Sequence, residues 1–226
     1  MYSTPSTWIN GFHDPNYEGK LQYGLLGQTG LVVSKLGFGG SAIGGIFSLV
    51  NDNESISVVR QALKTGINYI DTAPWYGDGK AEIVLGKALE GVPREAYYIA
   101  TKIGRYKPNV ADMFDFSAQR TFQSVDESLS RLKLDYVDVL QVHDLEFAAN
   151  LDVIINETLP ALQKIKEIGK AKFIGITGYP IKTLMEVVEK SSVQLDTVLS
   201  YCRCCLVDSS LLDYIDFFKV VCTHYV

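Results

Sequence analysis

The chain has 226 residues, 47% hydrophobic and 21% charged, an ordinary globular composition with room for one large domain or two small ones. With 21 basic and 26 acidic residues its formal charge is −5, which argues against nucleic acid as a partner, because that role wants clustered Lys and Arg. No apolar run approaches the roughly 20 residues of a membrane span. Residues 1–23 carry neither the charged nor the apolar region of a secretory signal, so a cytoplasmic protein is expected. Cys202, Cys204, Cys205 and Cys222 are bunched near one end and read as reduced thiols, not as a disulfide framework or zinc site.

Residues 1–19 are polar and hold Pro5, Gly11, Pro15 and Gly19, so a loose, flexible arm is expected there. Leu21, Tyr23 and Leu25 alternate, Gln28-Thr29-Gly30 turns, and Leu31, Val32 and Val33 return, which predicts a small hairpin. Lys35–Ser41 is the first strand of the body, glycine-rich enough for a close backbone approach. A regular alternation follows. Asn53 is expected to cap a helix to Lys64, whose Ile56, Val59 and Leu63 recur at helical spacing, and Gly66 stops it. Strands at Ile67–Ile70, Ala96–Lys102, Tyr136–His143, Lys172–Thr177 and Thr197–Tyr201 are separated by helices at Lys80–Leu89, Ser117–Leu132, Leu159–Ile168 and Ile181–Lys190. A last helix spans Ser209–Lys219, and Val220–Val226 is either one more strand start or an unrelated tail.

Strand then helix, repeated, predicts parallel strands with helical crossovers. The strands are short and apolar on both faces, as doubly covered strands must be. A strand–helix unit takes about 30 residues, and roughly 190 follow the hairpin, so six units fit. A closed eight-stranded barrel typically takes about 250. The pattern therefore reads as an α/β (β/α)8 barrel that stops early, or as a six-stranded open sheet.

Four chemically capable residues fall at or just beyond three successive strand ends. Asp71 and Tyr76 follow the second strand, Lys102 ends the third, and His143 ends the fourth. In a parallel barrel these ends share one mouth. Each has a bland reading alone: Asp71 caps a turn, Tyr76 packs, Lys102 is a solvated edge, and His143 is a satisfied buried imidazole. Together on one rim they make coherent chemistry. A tyrosine with an ordinary pKa of about 10 does not ionise readily near neutrality. An adjacent ammonium favours the phenolate, so Lys102 is expected to lower that value, with Asp71 keeping Lys102 charged. Tyr76 is then a general acid that protonates a carbonyl oxygen as hydride arrives, and a base in reverse, while a neutral His143 orients the carbonyl. No nucleophile elbow, H-E-x-x-H or P-loop is present.

These motifs carry a resemblance. Leu25-Leu26-Gly27-Gln28-Thr29-Gly30 with Val33–Gly39, Asp71-Thr72-Ala73 with Tyr76-Gly77, Leu85–Leu89, Ala100-Thr101-Lys102, Arg131-Leu132 before Asp135–Asp138, and Val142-His143 fall in order as in aldo-keto reductases. Gln141–Asp144, Gly175–Gly178 and Leu199–Cys202 are most similar to the branch that resembles L-galactose dehydrogenases. The resemblance covers about residues 20–219, the expected domain. It implies a (β/α)8 barrel and NAD- or NADP-dependent interconversion of a carbonyl or sugar lactol with an alcohol, on a small-molecule substrate. It makes Tyr76 the proton donor, Lys102 and Asp71 its tuning pair, and His143 the substrate orienter. It lays the cofactor along Ser41, Asp71, Thr177 and Tyr201. Thr177-Gly178 stands where many members have Ser-Asn. Members of the family continue for two more strand–helix units, so a truncated isoform is expected, with a divergent tail at 220–226. The alternative reading is a non-catalytic binding or regulatory scaffold of the same family.

Overall fold

Six parallel strands follow one another around a single curled sheet, with helices on its outer face. The computed structural model describes residues 4–221. The strands are β3 (Phe38–Gly39), β4 (Tyr69–Asp71), β5 (Tyr98–Ile103), β6 (Val137–Val142), β7 (Ala171–Gly178) and β8 (Thr197–Ser200); they lie in that order and every neighbouring pair is parallel. This is the winding of a (β/α)8 barrel with six of its strands, a half-barrel. Before it come β1 (Tyr23–Leu25) and β2 (Val32–Ser34), an antiparallel hairpin with Tyr23 opposite Ser34 and Leu25 opposite Val32.

The side-chain period of two divides each strand between the helical layer and the barrel interior. On β5, Ile99 and Ile103 face outward while Ala100 and Lys102 face inward; on β6, Leu140 and Val142 face outward while Val139 and Gln141 face inward. The outward residues pack with Val59 and Leu63 of α1 (Asp52–Lys64), Val84 and Leu85 of α2 (Lys80–Ala88), and Val125 and Leu132 of α3 (Ala118–Leu132). At the other end of the interior, Leu26 and Leu31 beside the hairpin cluster with Tyr69, Ala100 and Val139 and close the barrel floor.

Two carboxylates are buried in the outer layer. Glu82 of α2, with no exposed surface, accepts from the Thr101 hydroxyl at 2.6 Å and from Arg131 Nε of α3 at 2.7 Å. Asp138, equally buried, accepts from Arg94 at 2.6 Å, from Lys172 at 3.2 Å and from the Ile99 N–H at 2.9 Å. Each gathers enough donors to offset the loss of water.

Several elements differ from the sequence reading. The α1 cap is Asn51, not Asn53: its side chain accepts from the N–H groups of Asn53 and Glu54. Helix α5 (Leu159–Glu167) does not stand alone, because a short α4 (Leu151–Val153) and a π-turn over Ile154–Thr158 lead into it. Pro160 has no N–H to donate back one turn, and the Thr158 hydroxyl bonds Val153 O at 3.2 Å, so the turn before the proline widens. After α6 (Ile181–Lys190), a 3-10 turn over Ser210–Tyr214 enters α7 (Ile215–Val221). Val220 and Val221 thus continue a helix and begin no strand; the rest of that tail lies outside the described residues.

The polar arm also behaves differently from its composition. Thr7 and His13 are buried, and the Asn68 side chain ties the arm, hairpin and β4 together. It donates to the Thr7 hydroxyl and to Val32 O, both at 2.8 Å, and accepts from the Ser34 N–H at 2.6 Å. Cys202, Cys204 and Cys205 are free and exposed; Cys202 and Cys205 stand at C-x-x-C spacing, a pair the sequence reading passes over. No helix among the described residues is long and apolar enough to cross a membrane.

Candidate active site

The carboxyl ends of β4, β5 and β6 converge on one buried polar chain. Asp71 is the last residue of β4 and faces inward. The chain then runs through Thr72-Ala73-Pro74 and turns beneath Gly77, whose φ of +68° suits glycine; a Cβ there would lie 2.0 Å from Gly44 O. That close approach sets the loop bearing Tyr76.

Lys102 reaches inward from β5 and is 2% exposed. Its ammonium donates to Asp71 Oδ1 and, at 2.9 Å, to Thr72 O, and lies 3.3 Å from the Tyr76 hydroxyl. The other oxygen of Asp71 accepts from Gln141 Nε2 at 3.2 Å. His143 follows β6, pinned by its backbone N–H to Ile103 O at 2.8 Å. Its ring stands edge-on to Tyr76, centroids 5.8 Å apart at 87°. The four residues read from the sequence as catalytic are therefore neighbours.

They open onto a cavity of about 270 Å³ lined by Ser41, Trp75, Tyr76, Arg105, His143 and Tyr201, among others. Of the residues expected along a cofactor, Ser41 and Tyr201 line this space. Asp71 sits in the ionic chain below it, and Thr177 stands one strand over from His143, accepting from the Asp144 N–H at 3.2 Å. Larger clefts elsewhere, such as one of about 880 Å³ beside Phe114 and Arg120, hold none of these groups.

Charge and burial set the protonation states. Burial pushes the Tyr76 phenol above its ordinary value; Lys102 pulls it down and Asp71 pushes it up again. The sequence reading expects a net lowering by Lys102. The pull is present, but desolvation outweighs it, so the phenol holds its proton at neutral pH. For Lys102, burial alone favours the neutral amine, yet Asp71 and Tyr76 more than offset it and its pKa is raised. His143 is driven well below the usual imidazole range by burial first, then by Lys102 and Arg105, so it is neutral.

Sequence reasoning gave no role to Gln141, Trp75, Arg105 or Asp144. Gln141 had a findable signal: it lies two residues before His143 on a strand, and so on the same face. Arg105 and Asp144 are paired at 2.6 Å across the mouth, which no local pattern announces.

Comparisons with known proteins identify the family. The model of the Aldo/keto reductase family matches residues 35–223. L-galactose dehydrogenase of Arabidopsis thaliana is 48% identical over 203 residues, covering 88% of this chain and 62% of that protein. D-arabinose 1-dehydrogenase of Saccharomyces cerevisiae is 35% identical over 195 residues, covering 80% and 56% respectively. The chain thus spans less than two thirds of the length of these two relatives. Among solved structures, the holo form of aldo-keto reductase AKR11C1 from Bacillus halodurans superposes with a TM-score of 0.75 at 27% identity, covering 91% of this chain and 65% of that one. This chain belongs to the aldo/keto reductase family.

Proposed function

We propose that the protein is an NAD- or NADP-dependent oxidoreductase that interconverts an aldehyde or sugar lactol with its alcohol or lactone. The observation that carries this is the contact chain from the Tyr76 hydroxyl to Lys102 at 3.3 Å and on to Asp71, opening on a cavity that His143 also lines. A nicotinamide, when bound, supplies or accepts the hydride. The residues present suit such a group: Ser41 and Tyr201 lend a hydroxyl and a largely exposed aromatic ring to the same cavity, and Thr177 stands on the strand beside it.

Tyr76, protonated at neutral pH, donates its proton to the carbonyl oxygen in reduction. The phenolate left behind faces the Lys102 ammonium, whose charge Asp71 secures. Gln141 is a positioning residue, since it fixes the second oxygen of Asp71. Neutral His143 carries one ring N–H with which to hold the substrate oxygen, and its Nδ1 has no partner among the described residues. In the oxidative direction Tyr76 must first lose its proton, so that direction speeds up toward alkaline pH.

The test is oxidation of NADH or NADPH with an aldehyde, and reduction of NAD or NADP with an aldose. Tyr76→Phe is expected to lower both by about 10²–10⁴-fold. Full turnover in Tyr76→Phe would refute the assignment. A second reading is a non-catalytic binding or regulatory scaffold of the same family. Cofactor titration followed by nicotinamide fluorescence separates them: quenching with turnover supports the enzyme, and no binding supports the scaffold.

A further inference from the structure

Three cysteines crowd the loop that follows β8, and the proton chain uses none of them. Cys202, Cys204 and Cys205 are all exposed to solvent. Three thiols within four residues invite a soft metal ion, but no three side chains of metal-binding type converge among the described residues. Two of the thiols instead share one turn. Cys202 sits at a φ of +59°, in the left-handed region, and the chain turns there. The Cys205 thiol donates to Cys202 O at 3.6 Å, so it already lies against the residue three positions earlier. Cys204 and Cys205 are a poor pair: across a trans peptide adjacent Cα atoms stand about 3.8 Å apart, short of the roughly 4.4 Å a disulfide needs. The loop is also tied to the cavity wall. Between the two cysteines, Arg203 pairs with Asp208 at 2.7 Å, donates to Tyr179 O at 3.2 Å and lies 3.8 Å over the Tyr179 ring. Tyr201, which lines the cavity with Tyr76, immediately precedes Cys202 and donates its N–H to Gly178 O at 3.0 Å. Hydrogen bonding to the Cys202 side chain, and then the charge that side chain carries as a thiolate, hold the Tyr201 phenol above its ordinary value.

We propose that Cys202 and Cys205 are a reversible disulfide site, oxidised by a low-molecular-weight disulfide, whose closure draws Cys202 away from Tyr201 and loosens the seat of the cofactor. The link to the cofactor rests on the oxidoreductase reading above. The exchange runs in two steps. One cysteine thiolate attacks a sulfur of the small disulfide, forms a mixed disulfide and expels one thiolate. The other cysteine thiolate attacks the sulfur held on the protein, the Cys202–Cys205 bond forms, and the second small thiolate leaves. Two protein thiols are oxidised, the small disulfide is reduced to two thiols, and the protons of the protein thiols pass to them. Exposure leaves the new bond open to attack by small thiols in return, as in labile and regulatory disulfides. In the reduced loop the Cys205 thiol points at Cys202 O, and the Cys202 side chain serves Tyr201. Both must turn toward each other to bond. Arg203, held by Tyr179 and Asp208, keeps the middle of the loop from following, so the displacement falls on Cys202 and the tyrosine beside it.

The experiment treats the full chain with glutathione disulfide, then digests the denatured, unreduced protein with trypsin for mass spectrometry. Cleavage after Arg203 separates the two cysteines, so only a disulfide keeps their peptides joined. The joined pair is expected in the unaltered protein and in Cys204→Ser, is absent in Cys202→Ser and Cys205→Ser, and disappears with dithiothreitol. On oxidation the Tyr201 amide is expected to exchange faster with deuterium. Binding of NADH or NADPH, followed by nicotinamide fluorescence, is expected to weaken about fivefold, the worth of one hydrogen bond. Cys205→Ser, treated alike, shows neither change. No joined pair, a pair that survives in Cys205→Ser, a mixed disulfide that never closes, or an oxidised protein with unaltered Tyr201 exchange would each overturn the site. A closed disulfide with faster Tyr201 exchange, but no cofactor binding in either state, would defeat the oxidoreductase reading and leave the site standing. Cofactor binding and turnover indifferent to the disulfide would do the reverse.

Discussion

Asp71 and Glu82 are carboxylates that meet opposite faces of the same strand. Asp71 meets Lys102 on the inner face of β5; Glu82 meets Thr101 on the outer face and Arg131 beyond it. Both join a cation to a carboxylate away from bulk water, and neither fact alone marks a functional site. The difference lies in what stands next to them. Around Glu82 every neighbour is packing, and Gly86 lets α2 and α3 approach so closely that a Cβ there would meet Arg131 O at 2.3 Å. Around Asp71 the chain continues to a phenol, an imidazole and open space. A buried ion pair becomes chemistry only when a proton on it has somewhere to go.

Four substitutions test that contrast, taken from the largest expected effect down. Lys102→Met removes the ammonium that stabilises the Tyr76 phenolate, and turnover is expected to fall at least about 10²-fold. Because Lys102 pulls the phenol's pKa down, its loss also moves the alkaline rise of the oxidative direction to higher pH. A pH–rate profile checks both, and an unmoved limb would separate Lys102 from Tyr76. Glu82→Ala leaves Arg131 without its carboxylate and is expected to cost about 3–5 kcal/mol of stability. The protein that remains folded should keep its pH–rate profile. Urea unfolding beside kinetics decides this, and a large change in the profile with little loss of stability would erase the contrast between the two faces.

Gln141→Leu is a smaller perturbation. It frees one oxygen of Asp71 and is expected to cost about tenfold in rate, with little loss of stability since Gln141 Oε1 already lacks a partner. The informative readout is the alkaline limb, which a merely structural role would leave in place. His143→Gln bears on stability at acid pH. Its folded-state pKa is depressed, so below about pH 6.5 the unfolded chain binds a proton that the folded one does not. Stability is therefore present above that pH and is lost as pH falls toward the depressed value. His143→Gln should flatten this slope, which for one full proton is at most about 1.4 kcal/mol per pH unit. Melts at pH 7.5 and 5.5 that fall equally in both proteins would rule it out.

Periodicity and motif order carried the fold and the proton chain a long way. Ser117 caps α3 where its position predicts, and strand ends at Asp71, Lys102 and His143 do share a mouth. What escaped was set by fine local geometry or by distant partners. The Asn51 cap and the π-turn before Pro160 depend on local geometry that propensity does not resolve. The arm packs because Asn68 bonds Thr7 across 61 positions, invisible to composition. Glu82 is buried under Arg131, a partner 49 positions away. The direction of the Tyr76 shift failed for a plainer reason: a sequence names the neighbouring charge but says nothing of how much water has been removed.

The leucine floor laid by Leu26 and Leu31 has a kinetic meaning. It bars any through-passage from beneath the strands. A ligand beside Tyr76 cannot leave downward past Leu26 and Leu31, so its exchange runs through the carboxyl ends of the strands or the open side of the half-barrel.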